Sequence, residues 1–159
     1  MAMDCVMRGI YTFLCRDADT GEGGLAPTTT DLHADCFSRY MEHRLDVVMG
    51  EAIDRKVQIE YGGLSEMPPL ANGTGTKRRR IFKINIRIGY FAGDHNDETH
   101  AVIAADDHLI QVEIARPANY PASCEGICVE GIIPLSSEVI TLDTNRYILE
   151  ITARVQVYG

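Results

Sequence analysis

Apolar residues recur along this chain with two different periods, and the change falls near Gly50. Before it the spacing is helical. Val6, Ile10, Phe13 and Leu14 define a short helix over residues 4–15, with Asp4 placed to cap its start. Phe37, Tyr40, Met41, Leu45 and Val48 form the stripe of a stronger helix over 31–49, with Arg39, Glu42 and Asp46 on its other sides. Thr30 or Asp31 suits its N-cap and Gly50 its stop. The glycines, proline and threonines between residues 20 and 30 mark a loop.

After Gly50 the period becomes two. Val57, Ile59 and Tyr61 alternate with Gln58 and Glu60, which predicts a strand. Residues 62–76, with two prolines, four glycines and Asn72, predict a long loop reaching away from the core. Phe82, Ile84, Ile86, Ile88 and Tyr90 then alternate with Lys83, Asn85, Arg87 and Gly89 in the clearest strand of the chain. Residues 93–100 form a polar turn. Residues 98–115 fit either period and are assigned to a helix on Val102, Ala105, Leu109 and Val112, ending before Pro117. Residues 127–133 and 135–142 are two strand-like runs split by Pro134, and the chain ends in a long strand over 147–157. Matched alternation in the two longest strands predicts that Ile84, Ile86 and Ile88 share one buried face with Ile151, Val155 and Val157. The expected fold is α+β: a mainly antiparallel β-sheet flanked by two to three helices, with long loops. It forms one domain over 1–159, in which residues 1–30 can be a loosely attached N-terminal arm.

Bulk composition supports this. The length of 159 residues fits one domain with a self-sufficient core. The net charge of −8 disfavours a general nucleic-acid binder. Five cysteines, an odd and sparse set (Cys5, Cys15, Cys36, Cys124 and Cys128), read as free thiols in a reducing compartment. No apolar run approaches a membrane span, and Asp4 and Arg8 spoil the first residues as a signal peptide, so a cytoplasm-like setting is expected.

Candidate chemistry is thin. Asp106 and Asp107 are adjacent, so on a helix they point about 100° apart and do not converge; a solvated helix face is the simpler reading. The turn Asp94-His95-Asn96-Asp97-Glu98-Thr99-His100 offers oxygen and imidazole ligands but lacks the positions of an EF-hand loop; a polar turn capping the next helix through Asp97 or Thr99 is simpler. Cys124 and Cys128 lack zinc-knuckle spacing and a second ligand pair. Gly73–Lys77 fails the spacing of a phosphate loop. No catalytic residue, metal or cofactor is expected. The one basic focus is Lys77, Arg78, Arg79 and Arg80, followed by Lys83 and Arg87 on the polar face of the next strand. A charge-protected strand edge is the commonest use of such a cluster. A charge-complementary subunit interface comes next, and phosphate-backbone contact third, demoted by the overall acidity.

From residue 56 onward the arrangement resembles the tail-terminator (tail-completion) proteins of long-tailed bacteriophages. The strand RRRIFKINIRIGYF, a helix, an apolar strand pair and the closing NRYILEITARVQVYG carry the likeness, and the N-terminal 55 residues depart from it. The resemblance implies a structural virion protein, not an enzyme. It would form a hexameric homo-oligomeric ring at the neck, end the tail tube and join tail to head. Its partners would be other phage neck and tail-tube proteins, with no membrane and at most non-specific contact with packaged DNA; it would be assembled in the host cytoplasm. A related head–tail connector fits nearly as well. The alternatives are a small metal-dependent enzyme using the 94–100 turn and a nucleic-acid-binding module using Lys77–Arg80. In a ring, those four cations are expected to face an acidic surface of a neighbour, made by Asp94, Asp97 and Glu98 or by Asp106 and Asp107.

Overall fold

The computed structural model describes residues 2–27, 29, 31–66, 79–122 and 126–159. Two α-helices, α1 (Ala2–Leu14) and α2 (Asn96–Ile114), pack on a five-stranded sheet. Its strands are β1 (Ser38–Arg39), β2 (Lys56–Glu66), β3 (Arg79–Phe91), β4 (Cys128–Thr141) and β5 (Arg146–Tyr158), in the spatial order β1-β2-β3-β5-β4. Only the short β1 runs parallel to its neighbour; every other pairing is antiparallel. The fold is therefore α+β, as the alternation predicts.

The two longest strands pair as expected. Ile84, Ile86 and Ile88 stand opposite Ala153, Ile151 and Leu149, and Phe82 stands opposite Val155. All of these are buried, as is Val157. One sheet face forms the main core beneath Met3, Val6, Ile10 and Leu14 of α1 and Val102, Ile103, Ile110 and Ile114 of α2. α1 is thus built into the core and is not a loose arm. Each fully buried branched side chain contributes about 1.5–3 kcal/mol, which ties both helices to the sheet.

The helix expected over 31–49 does not form. Its stripe is shared between two sides of the sheet: Phe37 enters the main core, whereas Leu45 and Val48 cover the opposite face with Ile53 and Ile148. Met41 is exposed. A rigid helix cannot wrap a sheet edge, so the segment breaks into β1 and two short 3-10 turns, Leu45–Val47 and Gly50–Ile53. Gln58, on the polar face of β2, holds the wrap in place. Its amide accepts from Leu45 N at 3.1 Å and donates to the carbonyls of Tyr40 and His43. Gly89 makes room for it, because a Cβ there would stand 2.6 Å from the Ile53 carbonyl oxygen. Its place among the polar positions of β3 marks where a second segment crosses the sheet.

Other departures are smaller. β2 continues through Glu66, taking the first residues assigned to the loop; residues 67–76 lie outside the described residues. Residues 128–141 form one strand, with a register irregularity between Pro134 and Ser136 where a break was expected. Asp4 falls inside the first turn of α1, and α2 begins after His95 without a side-chain cap.

The thiols also differ from expectation: Cys5 is disulfide-bonded, while Cys15, Cys36 and Cys128 are in no disulfide. Burial pushes the Cys15 thiol up to about 12, whereas Cys128 is exposed. Alkylation at pH 8, followed by peptide mass spectrometry, should label Cys15 at least about tenfold more slowly in the native protein than in urea, because the thiolate is the nucleophile. Equal rates would show that the α1 end opens readily.

Candidate functional site

The described part of the basic cluster is not one patch. Lys77 and Arg78 lie outside the described residues. Arg79 and Arg80 open β3, where successive side chains take opposite faces. Arg79 is exposed, donates to the Glu130 carboxylate at 3.1 Å and lies over the Tyr158 ring. Arg80 lies over the Phe82 ring, 6.0 Å from its centroid, and its Nε is buried without a partner. Arg87 bridges Glu60 and Glu150 at 2.9 and 2.6 Å, which fixes the middle of the open sheet face. Lys83 is exposed.

The acidic candidates separate too. Asp94, Asp97 and Glu98 are exposed; Asp97 and Glu98 occupy the first turn of α2, where negative charge favours the helix. Among the described residues no group of three or more His, Cys, Asp or Glu side chains could hold a metal ion. His100 packs on the Tyr147 ring at 4.8 Å, and Tyr147 donates to Asn96 at 2.7 Å. Asp107 turns to Gln111 and Ser137. Asp106 is fully buried and cannot face a neighbouring subunit, contrary to expectation. The reason is the register of α2. Its buried stripe is Thr99, Val102, Ile103, Asp106, Ile110 and Ile114, while Val112 is exposed and Ala105 and Leu109 only half-buried.

Asp106 belongs to a buried polar network with no counterpart in the sequence reading. Arg55, fully buried and at φ +51°, donates Nε and Nη2 to the two Asp106 oxygens at 3.0 Å each. Its Nη1 reaches the carbonyls of Thr29 and Ala34, and the Tyr90 hydroxyl donates to Asp106 at 2.7 Å. Burial, followed by the neighbouring Asp106 carboxylate, pushes the Tyr90 hydroxyl well above the ordinary phenol range. Burial also raises the Asp106 carboxyl, against the opposing pull of Tyr90 and Arg55.

Next to this pair, Asp54 Oδ1 lies 2.7 Å from His33 Nδ1, and His33 Nε2 lies 3.1 Å from Thr99 Oγ1. Acid, imidazole and hydroxyl stand in the order of a nucleophilic triad. Their setting argues for a staple instead. Thr99 is 0% exposed and His33 7% exposed, and Asp54 also accepts the backbone N–H groups of Ala34 and Phe91. A nucleophile must meet its substrate, and this hydroxyl faces only protein. The network joins the 29–36 segment, the end of β3 and α2.

The open surfaces lie elsewhere. No helix among the described residues is long and apolar enough to cross a membrane. A shallow cleft of about 150 Å³ on the sheet face away from the helices is floored by Leu45, Ile140, Leu142 and Ile148, with Arg44 and Arg87 also lining it. β4 is an edge strand 14 residues long whose Ile133, Leu135 and Val139 are 45%, 48% and 44% exposed. Long edge strands with half-exposed apolar side chains invite pairing with another chain. The chain matches no family model and no curated protein sequence.

Proposed function

We propose that this chain is a structural subunit that works by assembling with copies of itself, and that it forms the ring of a phage neck or tail terminator. The open β4 edge carries this reading. It is long, sparsely charged and lined by half-exposed apolar side chains, so it offers main-chain hydrogen bonds and apolar area together. The resemblance of residues 56–159 to tail-terminator proteins supplies the setting: a virion ring that ends the tube and contacts neck and tube proteins. The internal polar network ties β3, α2 and the segment before β1 together, and β4 pairs on its outer side with no other strand among the described residues.

Sedimentation velocity or mass photometry on the purified protein tests self-assembly, and a monomer at every concentration and salt would overturn it. The basic cluster enters through rate. Arg79 already has an internal partner in Glu130, and rim charges mainly steer encounter. Reversing Arg79, the exposed member of the two, to Glu should slow ring formation more than it lowers the melting temperature; Arg80, whose Nε is buried beside Phe82, is left unchanged. Unchanged assembly with intact melting would leave the cluster as a solvated strand end.

A further inference from the structure

On the face of the sheet away from the helices, two like-charge pairs stand directly opposite each other. Lys83 on β3 faces Arg154 on β5, and Glu138 on β4 faces Glu150 on β5. Like charges in that position destabilise a sheet. Within the second pair, Glu150 is held by Arg87, which leaves Glu138 on the edge strand. Within the first, Lys83 on the central β3 is separated from the other side of the sheet by β2. Neither Lys83 nor Glu138 has an ion-pair partner among the described residues. Arg154 has none either and its Nε is buried without a partner, so the described residues leave two unpaired cations in that pair, of which Lys83 is the nearer to β2, and an unpaired anion, Glu138, on β4, all on the same face.

The two sides also match in direction and surface. β2 and β4 run in opposite senses, since each of the three pairings between them is antiparallel. A copy placed side by side in the same orientation thus brings its β2 antiparallel to β4. Most of the β2 edge is closed. β1 covers Lys56 and Val57, and the Tyr11 hydroxyl occupies both the N–H and the carbonyl of Ile59. From Tyr61 onward no other strand among the described residues pairs with this edge, and Tyr61 and Leu64 are half-exposed there, just as Val139 is on β4. Tyr61 and Val139 share the helix side of the sheet, being in register with Ile84 and Leu149. Gly62 has no side chain and lies against Lys83. No described side chain of β2 then stands between Lys83 and the edge.

We propose that β4 of one copy pairs antiparallel with the Tyr61–Leu64 end of β2 of the next, with Val139 against Tyr61 and Glu138 reaching across Gly62 to Lys83. The reach is within what this fold already shows, since Arg79 on β3 contacts Glu130 on β4 across the intervening β5. The contact uses two different surfaces, so it is heterologous and continues from copy to copy until rotation closes it into a ring. It rests on the self-assembly reading and specifies its interface.

The test is a charge swap on the full chain, read by mass photometry. Each of E138K and K83E alone should weaken assembly by about tenfold or more. An equimolar mixture of the two should recover it, because every junction then regains opposite charges. Both variants replace an internal like-charge pair by an opposite one, so neither should melt below the parent. If either does, Glu138→Gln and Lys83→Gln take their place, each expected to weaken assembly with melting intact. Loss with E138K but none with K83E would mean that β4 meets β4 in a two-fold dimer and would overturn this contact. Assembly unchanged in both variants would overturn it too, while self-assembly as such would stand. A monomeric parent protein would overturn the self-assembly reading itself.

Discussion

Replacing Asp106 with alanine is expected to destabilise the protein by about 3–5 kcal/mol, because it leaves the Arg55 guanidinium buried without its counter-charge. Two of the guanidinium's bonds go to the lost carboxylate, and the Tyr90 hydroxyl loses its acceptor at the same time. The carbonyls of Thr29 and Ala34 remain, but they carry no charge. Arg55 sits at φ +51°, so the main chain cannot readily swing the side chain out to water. Removing both charges with Arg55→Met and Asp106→Leu should cost less than the single change, since no lone buried ion is left. Urea melts of the single and double variants make the comparison. A single-variant loss below about 1 kcal/mol, the size typical of exposed pairs, would mean that water reaches the network.

Ile86→Ala should cost about 2–5 kcal/mol, the range for a large apolar side chain removed from a full core position. Ile86 is 0% exposed, pairs with Ile59 on one side and Ile151 on the other, and lies beneath both helices. The central strand cannot move to fill the gap without disturbing both neighbours, so the cavity term should be retained. Denaturant melts give the value, with Val139→Ala on the exposed edge as the comparison, expected within about 0.5 kcal/mol of the parent. Equal effects at the two positions would mean that the sheet is not the centre of the core.

The sheet was legible in the sequence because a strand's side chains alternate strictly, so a run such as Phe82 to Tyr90 states its own buried face. α1 was legible for the same kind of reason, its apolar residues falling on one helical face. The segment 31–49 shows where this stops. Phe37, Leu45 and Val48 have the spacing of a helix, but periodicity cannot distinguish one face of a helix from a strand edge wrapped on two sides. α2 lies between these cases. Its existence was readable, yet the stripe was placed on Val102, Ala105, Leu109 and Val112, which put Asp106 in water. Reading the alternative stripe through Val102, Ile103, Ile110 and Ile114 would have exposed an aspartate on a buried face and asked for its partner.

The partner itself was beyond sequence reasoning. Arg55 is 51 residues from Asp106, and His33 is 66 residues from Thr99, so no local spacing links them. Composition and alternation are properties of neighbouring residues, and they determine which strands exist and which face of each is buried. Charges meet only when the chain closes on itself. Tertiary structure alone therefore decided that Asp106 is internal, that Arg79 is paired with Glu130, and that Lys83 and Glu138 stand without ion-pair partners among the described residues on one face of the sheet.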